Sequence, residues 1–180
     1  MVLAKYFLLL VFLQAIQPPK DILVTVKTMV QSIKNGHDAE ALKQIDIASM
    51  SAFLLEDYTG PSTNQQQAEF ASLLSSYVSK YIFSKLHDNF KQAVSIDYGA
   101  PEINKDAAGL LSTFKIDNPL KKQEVKLKYS LIKTKKGWKV TDFTFAGDRP
   151  VLANLRDDKI RPLLKAGGLS NVINEMRKEQ

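Results

Sequence analysis

The chain of 180 residues contains no cysteine. That absence excludes a disulfide framework, a thiolate metal site, a cysteine nucleophile and a lipid-modified N-terminal cysteine. Histidine is nearly as scarce, with only His37 and His87. They fall on different predicted helices, without an i, i+4 partner or a carboxylate at ligand spacing, so they read as surface residues and no metal is expected. The eight glycines are scattered at turns and build no phosphate-binding loop. There is no G-x-S-x-G elbow, and a Ser-His-Asp triad would have to use those same two histidines. Carboxylates do occur side by side, at Glu56-Asp57 and Asp157-Asp158, but adjacent residues on a helix do not face each other. The chemistry of a catalyst is therefore sparse, and no cofactor is expected.

Long hydrophobic runs are missing too. The apolar run from Tyr6 to Leu13 falls well short of the ~20 residues that span a bilayer. Preceded by Lys5 and followed by Gln14-Ala15, it fits a secretory signal peptide over residues 1–15, extending at most to about 19. The remainder, 20–180, suits one domain with one core, since 44% of the chain is apolar and 24% charged. The net charge of +6 permits contact with anionic lipid, nucleic acid or acidic protein and selects none of them.

Apolar residues recur at helical spacing from Asp21 to Lys34, and shorter helices are predicted over 38–47 and 51–58. The strongest helix begins at Ser62, with Gln65 three residues on as a capping box. Its stripe runs through Phe70, Leu73, Leu74, Tyr77, Val78, Tyr81 and Ile82. From about residue 93 the period changes to two. Val94, Ile96 and Tyr98 share one face of a first strand, and Leu110, Phe114 and Ile116 one face of a second. Val125, Leu127, Tyr129 and Leu131 define a third. A fourth, 138–145, changes register midway: Trp138 and Val140 point one way, Phe143 and Phe145 the other, which signals a bulge or a strand covered on both faces. Helical spacing returns after Pro150 and is broken by Gly167-Gly168. Helices, then strands, then helices predict an α+β fold, with helices packed on a curved antiparallel sheet of about four strands.

Three features leave alternatives open. Residues 121–139 hold eight lysines against Glu124 alone. They fit a solvated sheet face protected from edge pairing, or a contact for an acidic partner or anionic lipid surface. Nucleic acid is disfavoured, because exposed aromatics do not interleave with them. Asp142, expected on the Trp138/Val140 side of its strand, could act as a general base or accept backbone hydrogen bonds. The many rings could fill a solid core or line a cavity between sheet and helices.

Three segments carry a family resemblance. Ser62-x-x-Gln65 followed by Phe70, Leu73 and Tyr81 is similar to a Thr-x-x-Gln helix of the MlaC family, the toluene-tolerance auxiliary components. "GWKVTDFTFAG" resembles that family's Trp-containing strand ending in Gly, and "ANLRDDKIRPLLKAGGLSNVINEM" its Asn-x-Arg helix with a Gly and a Leu/Ile-rich terminal helix. The chain departs from the family where Gly147-Asp148-Arg149-Pro150 replaces a Gly-Val-Ser-like turn. The resemblance implies a wedge loosely like nuclear transport factor 2, enclosing an apolar pocket. It also implies a soluble periplasmic phospholipid carrier without catalysis, working between an outer-membrane lipoprotein–porin complex and an inner-membrane ABC transporter. Such a carrier would maintain outer-membrane lipid asymmetry and act as a monomer. A hopanoid carrier, or a small enzyme on the same scaffold with Asp142 as base, are the alternatives. The expected pocket residues are Phe70, Leu74, Tyr77, Val78 and Tyr81 on one wall and Val94, Ile96, Phe114, Leu127, Tyr129, Leu131, Phe143 and Phe145 on the sheet. Val151 and Leu155 follow on the next helix, and Asp148 and Arg149 form the rim.

Overall fold

A computed structural model describes residues 20–118 and 121–180. The expected signal peptide lies outside the described residues. Helix α1 spans Lys20–Lys34 and buries Ile22, Val26, Met29, Val30 and Ile33, the stripe its spacing predicts. Helix α2 is Asp38–Leu42, shorter than predicted, and α3 is Ile47–Leu54, which starts and ends four residues earlier than predicted. Residues 44–46 break away to pair with the sheet edge, where Asp46 N donates to Val140 O and Val140 N to Gln44 O, each 2.9 Å. Asp46 then caps α3 through Ser49 N, 3.0 Å away.

Helix α4, Asn64–Tyr77, starts one residue later than its sequence suggests. Thr63, not Ser62, is the cap: Gln66 N donates to Thr63 Oγ1 at 3.1 Å and Thr63 N to Gln66 Oε1 at 2.9 Å. Ser62/Gln65 and Thr63/Gln66 offer the same spacing, and the capping geometry belongs to the second pair. The helix runs on without a break through a π-helical segment, Val78–Phe83, into α5, Ser84–Gln92. The extra residue in the π turn shifts the buried stripe. Ile82, Phe83, Leu86 and Phe90 face inward, while Tyr81, predicted inside, is 41% exposed.

The sheet has five strands rather than four: β1 Ala93–Tyr98, β2 Glu102–Asn104, β3 Ala107–Asn118, β4 Lys121–Thr134 and β5 Gly137–Phe145. All pairs are antiparallel, in the order β1-β3-β4-β5, with short β2 beside the start of β3. Two bulges correct the predicted faces. In β1, Ala93 pairs with Ile116 and Ser95 with Lys115, so the extra residue Val94 turns out and is 68% exposed. In β5, Val140 pairs with Leu131 and Asp142 with Ser130, leaving Thr141 extra. The register jump therefore does not divide the strand between two apolar layers. The bulge rotates the second half, so Trp138, Val140 and Phe143 all bury against the same core.

Helix α6, Val151–Leu155, continues through a second π-helical segment, Arg156–Ile160, into α7, Arg161–Lys178. Gly167 and Gly168 kink α7, as the sequence predicts. On the inner face of the sheet α1 is tied to β5 by Thr25 Oγ1 donating to Trp138 O at 3.3 Å, and α5 stacks Phe90 on Phe114 of β3 with centroids 4.9 Å apart. Among the described residues no helix is long and apolar enough to cross a membrane.

Candidate functional site

Both π segments border one cleft of about 350 Å³. Its floor is Phe143 and Phe145 at the end of β5. One wall is Tyr77, Tyr81, Ile82 and Leu86 from the α4–α5 helix, and the other is Val151 and Leu155 from α6. The Tyr77 and Tyr81 rings lie 4.8 Å apart. Polar groups enter only at the mouth: Lys85, Asn154, Asp158 and Lys159. Burial raises the Tyr77 phenol above its ordinary value, opposed by the Lys159 charge beside it. The site is thus an apolar slot whose edge carries Lys85 and Lys159 together with the carboxylate of Asp158, a form suited to an amphiphile.

Of the residues expected at a pocket, six line this cleft: Tyr77, Tyr81, Phe143, Phe145, Val151 and Leu155. Phe70, Leu74, Val78, Phe114, Leu127 and Tyr129 are buried in the continuous core behind it. There Ser112 Oγ donates to Tyr129 Oη at 3.0 Å, while burial drives the Tyr129 hydroxyl far above the usual phenol range. Leu131 is buried and borders a second groove, Ile96 is half-buried beside Tyr98, and Val94 points to solvent. Asp148 and Arg149 are exposed on the turn joining floor to wall and do not line the cleft. Asp148 N closes the turn on Phe145 O at 3.0 Å, and Arg149 pairs with Asp157. Ile82 was part of the predicted helical stripe, and Leu86 continues that stripe one turn beyond its predicted end. Lys85 and Lys159 carry no sequence signal, since only the fold brings them to one opening.

The second groove, about 620 Å³, lies between Ser49 and Phe53 of α3, Leu152 of α6 and residues of β2 to β5, and it includes Asp142. The Thr141 bulge puts Asp142 beside Ser130, on the face opposite to the one expected. Its Oδ1 accepts from Phe143 N at 2.7 Å and Leu152 N at 3.0 Å. Burial raises its carboxyl above the ordinary 3.8, while the N–H groups of Leu152, Phe143 and Val151 pull the other way. Helix α6 starts at Pro150, which offers no side-chain cap, and Asp142 supplies one from the neighbouring strand.

The model of the MlaC protein family matches residues 15–178. The chain belongs to the MlaC family. Its fold is also that of a solved phospholipid-binding protein from Ralstonia solanacearum in complex with a phospholipid. The two chains share 15% identity over 90% of this chain and 96% of that one, with a TM-score of 0.67. An NTF2-like family protein from Streptomyces avermitilis is more distant, at 12% identity over 69% of this chain and 91% of that one, TM-score 0.41. No curated protein matches the chain. Within this MlaC-family fold the apolar cleft sits between the α4–α5 helix, the α6–α7 helix and the end of β5.

Proposed function

We propose that the chain is a periplasmic phospholipid carrier that shuttles lipid between inner and outer membranes and performs no catalysis. The observation that carries this reading is the cleft between two π-interrupted helices and the end of β5, lined by apolar side chains with its charged groups at the edge. Family membership and the likeness to a phospholipid-binding protein support it. Each buried CH2 contributes about 0.8 kcal/mol, so an acyl chain binds without headgroup chemistry. A cleft of about 350 Å³ is near the small end of ligand sites, so a diacyl lipid enters only if the walls part. Release then falls to a partner that favours the open form, here an inner-membrane ABC transporter or an outer-membrane lipoprotein–porin complex.

Native mass spectrometry of protein purified from cells, followed by mixing with vesicles, tests the reading. A co-purifying or acquired lipid mass is expected, and extraction of that ligand distinguishes phospholipid from hopanoid. Protein that arrives lipid-free and takes up nothing from vesicles overturns the proposal.

A further inference from the structure

The mouth of the cleft carries charges that an acyl chain does not need: two cations, Lys85 and Lys159, and one carboxylate, Asp158, which an anionic headgroup has to avoid. Lys85 stands on α5 and Lys159 on the π segment of the opposite wall. Each ammonium lies over a ring of the lining: Lys85 Nζ is 5.1 Å from the Phe145 centroid and Lys159 Nζ 5.0 Å from the Tyr77 centroid. Cation–π attraction holds both at the boundary between apolar lining and water. Among the described residues Lys85 forms no ion pair. Lys159 pairs with Glu179, and both side chains are partly buried. The backbone carbonyl of Glu179 also accepts from Lys80 Nζ at 2.6 Å and from Tyr81 Oη at 3.2 Å. One residue therefore joins the π segment of one wall to the π segment of the other.

We propose that this mouth is a headgroup site for anionic lipid phosphate, built from Lys85 and Lys159, and that Glu179 is an internal stand-in for that phosphate. The inference rests on the carrier reading and adds to it a selectivity for charge. A phosphate diester matches the Glu179 carboxylate in charge and in offering oxygen acceptors to an ammonium group. Both anions draw on the single charge of Lys159, so headgroup binding competes with the Glu179 tie. A headgroup that captures Lys159 breaks the Lys159 end of this tie, leaves Lys80 and Tyr81 on the Glu179 carbonyl, and so weakens the link between the π segments. The empty form stays neutralised at Lys159, which avoids leaving a partly buried cation unpaired.

The test measures lipid uptake by the full chain from phosphatidylglycerol and phosphatidylcholine vesicles of the same acyl composition. Wild type is expected to prefer phosphatidylglycerol, and Lys85→Gln/Lys159→Gln to lose that preference by about 3- to 10-fold while still taking up phosphatidylcholine. Glu179→Gln is expected to raise phosphatidylglycerol uptake about 3-fold or more, because the competitor is gone. Lys126→Gln/Lys133→Gln removes two charges from exposed positions of β4 and should leave the ratio unchanged, separating the site from general attraction to the vesicle. An unchanged ratio in the Lys85/Lys159 variant overturns the headgroup site but leaves the carrier reading standing. So does loss of both lipids in that variant while its circular dichroism stays native. Saturable binding of inorganic phosphate by calorimetry, abolished by Lys159→Gln with an unchanged lipid ratio, reassigns the site to free phosphate. Absence of uptake from either vesicle by wild type removes the carrier reading and this inference together.

Discussion

Asp142 shows how a residue that looks chemical becomes structural. A partly buried carboxylate with a raised pKa has the profile of a general base. Its Oδ1, however, is occupied by two backbone N–H groups, one of them from the first turn of a helix that begins with proline. Truncation to Ala leaves Leu152 N–H without its acceptor, and Asp142→Ala is expected to cost about 1 kcal/mol in urea denaturation at neutral pH. Asp142→Asn keeps an acceptor oxygen and removes the buried charge, so it should cost clearly less. The sign of the pH dependence follows from the raised folded pKa. Ionisation opposes folding, so wild type loses stability relative to the Asn variant as pH rises from about 4 to neutral. Denaturation midpoints of the two proteins at pH 4 and pH 7 check this. A gap that widens towards acid contradicts the assignment.

At the scale of elements, the long helices are defined by where they are interrupted. Each carries a π turn where it borders the cleft, and α7 also carries a kink. The alternation of Leu127, Tyr129 and Leu131 and the stripe through Phe70, Leu74 and Val78 were legible in the sequence, because local spacing alone determines which face is apolar. The faces of Val94, Tyr81 and Asp142 were not. Bulges are set by pairing with a strand many residues away, and a π turn fits one extra residue into a pattern that also satisfies a regular helix. The cleft was half legible for the same reason: its apolar lining follows from the stripes, while Lys85 and Lys159 meet only through tertiary packing. The kink, by contrast, announces itself as Gly167-Gly168. Gly168 has φ +67° and ψ −164°, a conformation almost confined to glycine, and a Cβ there would lie 3.0 Å from Tyr58 Oη. Gly168→Ala is expected to cost about 1–3 kcal/mol and lower Tm by several degrees. A calorimetric Tm equal to wild type would show that α7 tolerates a different path at the kink.

For the whole molecule, charge fastens the helical layer around the cleft. Asp157, on the π segment of the α6–α7 helix, meets Arg149 of the turn after β5, Arg156 at 3.1 Å and Arg161 at 2.7 Å. Arg156 reaches Glu56, and Arg161 reaches Asp57, on the segment that follows α3. Three separate parts of the chain are thereby joined through one carboxylate on a helix that forms one wall of the cleft. The hydrogen bond from Arg156 comes first in lowering the Asp157 pKa below its ordinary 3.8; burial opposes it, and Arg149 and the charge of Arg161 add to the lowering. A depressed folded pKa gives stability that is present above the unfolded value and lost as pH falls through the folded one. The acid side of the stability curve should therefore fall below about pH 4, and Asp157→Asn should flatten that fall while lowering stability at neutral pH. Chemical denaturation from pH 7 to pH 2.5 reads both effects. The same network resists opening, so Asp157→Asn should also speed lipid exchange with vesicles at neutral pH. A variant that is less stable yet exchanges lipid at the wild-type rate would mean that the walls part without disturbing this cluster, by movement of the α4–α5 helix alone.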